Sequence, residues 1–429
     1  MLEKLGLIPI SNIIKNKSIQ NFLFLAIIQS SNILITIISM PLLIQGIGVD
    51  QFGLVNLALS VIILFNIMVG FGYNLSAPRE VAVNQNDKTA LSHLVSNVFS
   101  AKILLASFAA FLILLGVFGL NLFKEYPLIL TYSVLLLFSE ATLPVWFFQG
   151  MEKMKLVSIA NIFSKLLFLM GIVFFIHSPE QSKWVNFMMG FFGLLINLFL
   201  LAYIHTFLKI RFYRPQFSAI WASLKENGLF FFSNLASHIS INGGLIILSF
   251  FSTAEILGMY SLAERIMMVL RIFPPMVVQA IYPNCTKLFK KDQKLFHKFL
   301  KRVYLNMLVI GFLITSGTYF LAPWIIKILS QSDLEESVNF LRILSFVPFL
   351  ACLNAANVTI MLVADLKKLL FKASWMMSAY MIFTGTLLTF LLGAIGISIA
   401  VLTTEVAVFI ICLILLFKNN RELFHEFYS

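Results

Sequence analysis

Charge is sparse in this chain: Asp, Glu, Lys and Arg make up 12% of its 429 residues, and no polar stretch is long enough to form a separate soluble domain. Cysteine is scarcer still. Cys285, Cys352 and Cys412 offer neither a disulfide framework nor metal-ligand spacing, which excludes a stapled secreted fold and the usual metal centres. A phosphate-binding Gly loop with Lys, a His-Glu-x-x-His and a Gly-x-Ser-x-Gly are all missing. Without an ATP loop the chain cannot itself hydrolyse ATP, and neither a catalytic residue nor a metal or cofactor is expected. Apolar sequence fills the remainder, with 60% hydrophobic residues and a mean hydropathy of +0.94. Such a composition belongs in a bilayer.

Apolar runs separated by short polar connections predict twelve spans, at 22–44, 53–77, 98–119, 128–149, 156–177, 185–207, 229–251, 257–283, 303–325, 341–363, 371–392 and 396–417. If they alternate from a cytoplasmic N-terminus, about three-quarters of the 31 Lys and Arg fall at cytoplasmic ends. That bias predicts a multi-pass protein of the bacterial inner membrane with both termini cytoplasmic. One cytoplasmic connection alone holds Lys287, Lys290, Lys291, Lys294, Lys298, Lys301 and Arg302, whereas the longest outer one, 326–340, carries Asp333, Glu335 and Glu336. The net charge of +12 therefore sits in short loops beside apolar helices. Membrane lipids with anionic heads are its expected partners, and nucleic acid is not. The first apolar run follows Lys15 and Lys17 without an Ala-x-Ala-like exit, so it reads as a retained helix. Leu5 to Ile14 is expected to lie along the interface.

An internal repeat divides the chain. Phe52-Gly53-Leu54-x-x-Leu57-Ala58 with Pro78 is matched, at an offset of 205 residues, by Leu257-Gly258-Met259-x-x-Leu262-Ala263 with Pro283. Asp50 and Glu255 correspond at the same offset. Six spans return the chain to its starting side, so the repeats have parallel topology. The expected architecture is an all-α membrane protein of twelve transmembrane helices in two parallel six-helix repeats, an N-terminal lobe 1–210 and a C-terminal lobe 211–429. Two-lobed folds of this kind belong to alternating-access transporters.

Six charged residues fall well within spans, away from their ends: Glu140, Lys165, Glu264, Arg265, Arg271 and Glu405. Each costs about 2.5–3.5 kcal/mol at the bilayer centre, so they must face one another, neighbouring helices or a wet cavity. Glu264 and Arg271 are seven apart and share a face of span eight. His238 lies in span seven between Asn234 and Asn242, four residues to either side, and reads either as a hydrogen-bonded interior histidine or as a proton relay. At the repeat offset, Arg265 and Arg271 map onto Ser60 and Asn66, and Asn234 and Ser237 onto Gln29 and Asn32. Recurrent polarity of this kind is expected where spans one, two, seven and eight line a shared cavity. The bland alternative is that Glu140 with Lys165, and Glu264 with Arg271, are ion pairs that only fix helix register. Pro274-Pro275 should kink span eight just beyond Arg271.

Met40-Pro41, Phe52-Gly53, Phe71-Gly72-Tyr73 leading to Arg79-Glu80, and above all Pro144-Val145-Trp146-Phe147-Phe148-Gln149-Gly150-Met151-Glu152 resemble the polysaccharide-exporter family of O-antigen flippases. Leu257-Gly258-Met259-Tyr260-Ser261-Leu262-Ala263 with Pro283 extends the resemblance over almost the whole chain. It implies a fold shared with multidrug-and-toxin extruders and lipid II flippases. It also implies a substrate of oligosaccharide on undecaprenyl pyrophosphate, moved from the cytoplasmic to the periplasmic leaflet, with polysaccharide polymerase and chain-length proteins as further partners. Cationic cavities of the family are matched here by Lys165, Arg265 and Arg271. Span one departs from relatives, lacking both the acid of many cation-coupled drug extruders and the basic residues of lipid II flippases. On this reading Arg265, Arg271 and Lys165 hold the pyrophosphate, and Asn234, His238, Asn242, Gln29 and Asn32 complete the substrate site. Glu140, Glu264 and Glu405 serve ion coupling or pairing, through a proton or sodium gradient or the membrane potential. The alternatives are an exporter of a teichoic-type polymer or a small amphipathic drug, and a membrane-embedded polymerase, which the short outer connections disfavour.

Overall fold

The structure is a computed structural model describing residues 17–122, 124–214 and 217–420, in which every regular element is helical. The expected interfacial segment Leu5 to Ile14 lies outside the described residues. Ten helical stretches are long and apolar enough to cross a bilayer, and large apolar side chains such as Phe199, Phe320 and Phe390 are exposed, as a lipid-bathed surface requires. This is an all-α, multi-pass membrane protein. Its chain divides into two compact units, one built from residues up to Ile47 and Val61–Asn234, the other from Gly48–Ser60 and from Leu235 onward.

Helix α1, Lys17–Gly70, is bent where Gly48 adopts φ 83° and ψ 165°, a conformation essentially open to glycine alone. Its two arms correspond to the first two expected spans. The second arm stops earlier than the 53–77 pattern suggests, because Phe71 and Gly72 turn left-handed, at φ 38° and 81°, and start the short helix α2, Tyr73–Val83. A Cβ at Gly72 would meet the Phe230 Cβ at 2.7 Å.

In the first unit α3, Lys88–Leu114, begins on the Asp87 side chain, which accepts from the amides of Thr89 and Ala90 at 2.9 and 3.0 Å. The expected 128–149 span is divided into α4 (Pro127–Ser133), α5 (Leu135–Thr142) and α6 (Val145–Gly150), with Leu143 extended ahead of Pro144. Helices α7 (Met154–Phe175) and α8 (Ser182–Thr206) complete it. Trp146, Phe147 and Phe148 are buried in one core with Tyr73, Leu91 and Phe99. Gly150 lets α6 touch α2: an added Cβ would sit 2.6 Å from the Pro78 carbonyl oxygen, while Gln85 Nε2 donates to the Gly150 carbonyl at 2.6 Å. The densest motif of the sequence is therefore a packing element.

Helix α9, Phe217–Ser249, passes from the first unit into the second. It is followed by α10 (Ala254–Arg271), α11 (Phe273–Lys291), α12 (Gln293–Ser330), α13 (Glu335–Leu344), α14 (Val347–Val363) and α15 (Lys367–Asn419). The Pro274-Pro275 pair opens α11 directly after Arg271, so the expected kink is a helix boundary at Ile272. Helix α15 covers the last two expected spans and bends where Gly393 takes φ 60° and ψ −140°. Within this unit Gly53 of α1 and Gly258 of α10, equivalent positions of the repeat, meet backbone to backbone; a Cβ on Gly53 would lie 2.8 Å from the Leu257 carbonyl carbon. Only residues without a side chain allow helix axes that close.

Candidate functional site

Polar groups of α1, α9, α10 and α15 converge inside the second unit. The glycine contact sets α1 against α10, and on the adjoining turns the Arg265 Nε donates to Asn56 Oδ1 at 2.9 Å. Asn56 is in turn held by its own helix, Nδ2 donating to the Phe52 carbonyl at 2.8 Å. Arg265 Nη2 is buried with no hydrogen-bond partner among the described residues. Next to it Glu264 is 1% exposed and forms no ion pair among the described residues, with its Oε2 unpartnered. Gly244 of α9 faces this carboxyl and the Tyr260 hydroxyl, the two lying 3.3 and 3.0 Å from where a glycine Cβ would stand.

Arg271 is differently placed. It forms an ion pair with Glu405 of α15, both side chains largely buried. Asn242 Nδ2 donates to His238 Nδ1 at 3.1 Å, an interaction along one face of α9. The seam between α9 and α15 is also polar: Ser237 bonds Ser374 at 3.2 Å and Ser240 bonds Ser378 at 3.1 Å.

The first unit holds the remaining expected residues. Glu140 of α5 pairs with Lys102 of α3 at 3.7 Å, with the lysine fully buried. Lys165 on α7 is half-buried and makes no ion pair among the described residues. Gln29 is exposed, Asn32 is half-buried with Oδ1 unpartnered, and Asn234 is half-buried.

The two ion pairs that the sequence offered as the alternative reading do not form, and Arg271, expected to face the cavity, is ion-paired instead. Glu140 meets Lys102 in place of Lys165, and Arg271 meets Glu405 in place of Glu264, since helices distant in sequence bring closer partners than the seven-residue spacing on one face. Asn56, Tyr260 and Lys102 were not among the expected site residues. A polar residue within an apolar run was the available signal for each; Lys102, near the end of its span, passed as a boundary charge.

Arg265 and Glu264 each hold a buried atom without a hydrogen-bond partner and neither forms an ion pair among the described residues. Such a site can take up an anion at the guanidinium and a proton at the carboxyl. A family model described as "Polysaccharide biosynthesis protein" matches residues 18–289, covering α1, α10 and this cluster. The chain belongs to that family. A relative in Escherichia coli (strain K12), named "Putative O-antigen transporter", is 25% identical over 408 residues, 94% of this chain and 97% of the relative. The fold is shared with the lipid II flippase MurJ in an inward closed conformation, at 15% identity and a TM-score of 0.70 over 94% of this chain and 89% of that one. It is also shared with an inward-facing multidrug resistance MATE family transporter of the MOP superfamily, at 12% identity and a TM-score of 0.69 over 88% and 93% of the two chains. The chain is thus similar over nearly its whole length to a protein named as an O-antigen transporter, and it shares its fold with solved MATE and MurJ structures.

Proposed function

We propose that the protein is a flippase that carries an undecaprenyl-pyrophosphate-linked oligosaccharide, an O-antigen or capsule repeat unit, from the cytoplasmic to the periplasmic leaflet of a bacterial inner membrane by alternating access. The observation that carries this reading is similarity along nearly the full length of a protein named as an O-antigen transporter. Twelve crossings in two six-helix repeats fit if α1 and α15 each count twice; 54 and 53 residues are ample for two passes of about 20 each. Both termini would then lie on one side, and the excess of Lys and Arg in the basic connections supports the cytoplasm as that side.

Unpaired hydroxyls entering hydrocarbon cost several kcal/mol each, up to about 8 on a cyclohexane scale, so a sugar chain needs a polar path. Asn242 and His238 on α9, with Gln29, Asn32 and Asn234, offer exchangeable hydrogen bonds to varied sugars. Arg265 is the ligand for the pyrophosphate, its Nη2 being without a hydrogen-bond partner and the side chain without an ion pair among the described residues, and Lys165 of the first unit is a further cation for the anion along its route. Arg271 is tied to Glu405 and serves to hold α10 to α15. Of the three intramembrane acids, Glu140 and Glu405 face cations, which leaves Glu264 as the group to exchange a proton if export is proton-coupled. Polysaccharide polymerase and chain-length proteins would receive the product.

The test is Arg265→Ala in a strain lacking the native protein, scored by surface polysaccharide and by the amount of protein in the membrane. Loss of polysaccharide with normal insertion is expected. Normal polysaccharide would remove Arg265 from the substrate path.

A further inference from the structure

The bond between Asn56 and Arg265 joins two helices on turns adjoining their glycine contact, yet it uses only one corner of the guanidinium. Nε is engaged, Nη2 is buried and unpartnered, and the end-on fork of Nη1 and Nη2 is left without a hydrogen bond among the described residues. A buried donor left unsatisfied is destabilising, so this state stands only if something else offsets it. Gly53 and Asn56 share one face of α1, and Gly258 and Arg265, two turns apart, share one face of α10. Backbone contact at the two glycines thus fixes where the amide stands relative to the arginine, and the hydrogen bond from Asn56 Nδ2 to the Phe52 carbonyl fixes which amide atom faces Nε.

We infer that Asn56 is a positioning residue for the pyrophosphate: by accepting from Nε it locks the Arg265 guanidinium so that its end-on fork presents two parallel donors to a pair of phosphate oxygens. A planar fork bonded at both ends loses less freedom on binding than a free arginine does. A neutral amide suits this task, whereas a carboxylate at the same place would cancel the charge the anion needs. Glu264 lies within electrostatic range of Arg265 but makes no ion pair with it among the described residues, so the donor positions of the fork stay open. The inference rests on the flippase reading and adds to it a residue whose role is to select a charged carrier over a neutral one.

The experiment measures binding of two probes, undecaprenyl pyrophosphate and undecaprenol, to the full-length protein in nanodiscs of uncharged lipid. The unaltered protein, Asn56→Ala, Asn56→Asp and Arg265→Ala are compared, each with its thermal unfolding midpoint. The unaltered protein is expected to prefer the pyrophosphate. Asn56→Ala should reduce that preference about tenfold without changing undecaprenol binding. Asn56→Asp should reduce it at least as far, because a carboxylate beside the guanidinium cancels the charge the anion needs. Equal losses for both probes would make Asn56 merely structural and overturn the inference, as would an unchanged preference in Asn56→Ala beside a lost one in Arg265→Ala. If the unaltered protein itself shows no preference for pyrophosphate, the flippase reading falls first, and that result is distinct from either of the others.

Discussion

At the residue scale, two arginines on the same helix do different work. Arg271 and Glu405 form a largely buried pair, and removing one member of such a pair leaves an uncompensated charge that costs about 3–5 kcal/mol. Arg271→Ala is therefore expected to lower the unfolding midpoint and the yield of folded protein sharply, and Arg271→Met with Glu405→Leu is expected to recover most of the loss. A double variant no more stable than Arg271→Ala would show that the pair does not hold the fold. Arg265→Ala breaks a single hydrogen bond to a neutral amide, and about 1–3 kcal/mol is the expected cost, so its effect on export is readable where that of Arg271→Ala is not. Sequence displays charges in an apolar run but not their partners. Asn56 lies 209 residues from Arg265 along the chain, and as an uncharged side chain it gave no alarm, while the repeat directed attention to Ser60 and Asn66.

At the scale of the element, glycine decides where helices bend and where they touch. Gly393, at φ 60° and ψ −140°, has no atom within 4 Å of where an alanine methyl would stand, so Gly393→Ala probes backbone strain without a steric clash. The expected loss is about 1–3 kcal/mol, read as a fall in the thermal unfolding midpoint; an unchanged midpoint would show that the bend relaxes freely. Gly258→Leu is a different case, because the new side chain would strike the backbone of Val49, and failure to accumulate in the membrane is expected. Hydropathy locates apolar runs well, since each span needs about 20 apolar residues whatever its neighbours do. It cannot tell whether a short connection between two runs unwinds or continues as bent helix, as at Gly48 and Gly393. Nor does it show a break inside one run. The division of 128–149 at Leu143-Pro144 had a local cause in proline, but the break at Val134 has no comparable mark in the sequence.

At the scale of the whole molecule, the question is what drives a charged lipid outward without ATP. In an interior-negative membrane, outward movement of an anion is favoured by about 2.3 kcal/mol per charge per 100 mV. A guanidinium that travels with the phosphate would cancel part of that drive, whereas one that stays with its helix would not. Arg265 is bound to Asn56 and does not reach out from a flexible loop, so the potential should act on most of the pyrophosphate charge. In vesicles loaded on the inner leaflet with the lipid-linked oligosaccharide, an inside-negative potential is expected to accelerate outward flipping. An outside-acid gradient, imposed separately at clamped potential, should accelerate it only if an acid exchanges protons across the cycle. Because Glu140 and Glu405 are held in ion pairs and Glu264 is in none among the described residues, Glu264→Gln should abolish the response to the pH gradient and keep the response to potential. Loss of both responses in that variant would instead make Glu264 part of the substrate path, and insensitivity of the unaltered protein to both gradients would reject each form of coupling.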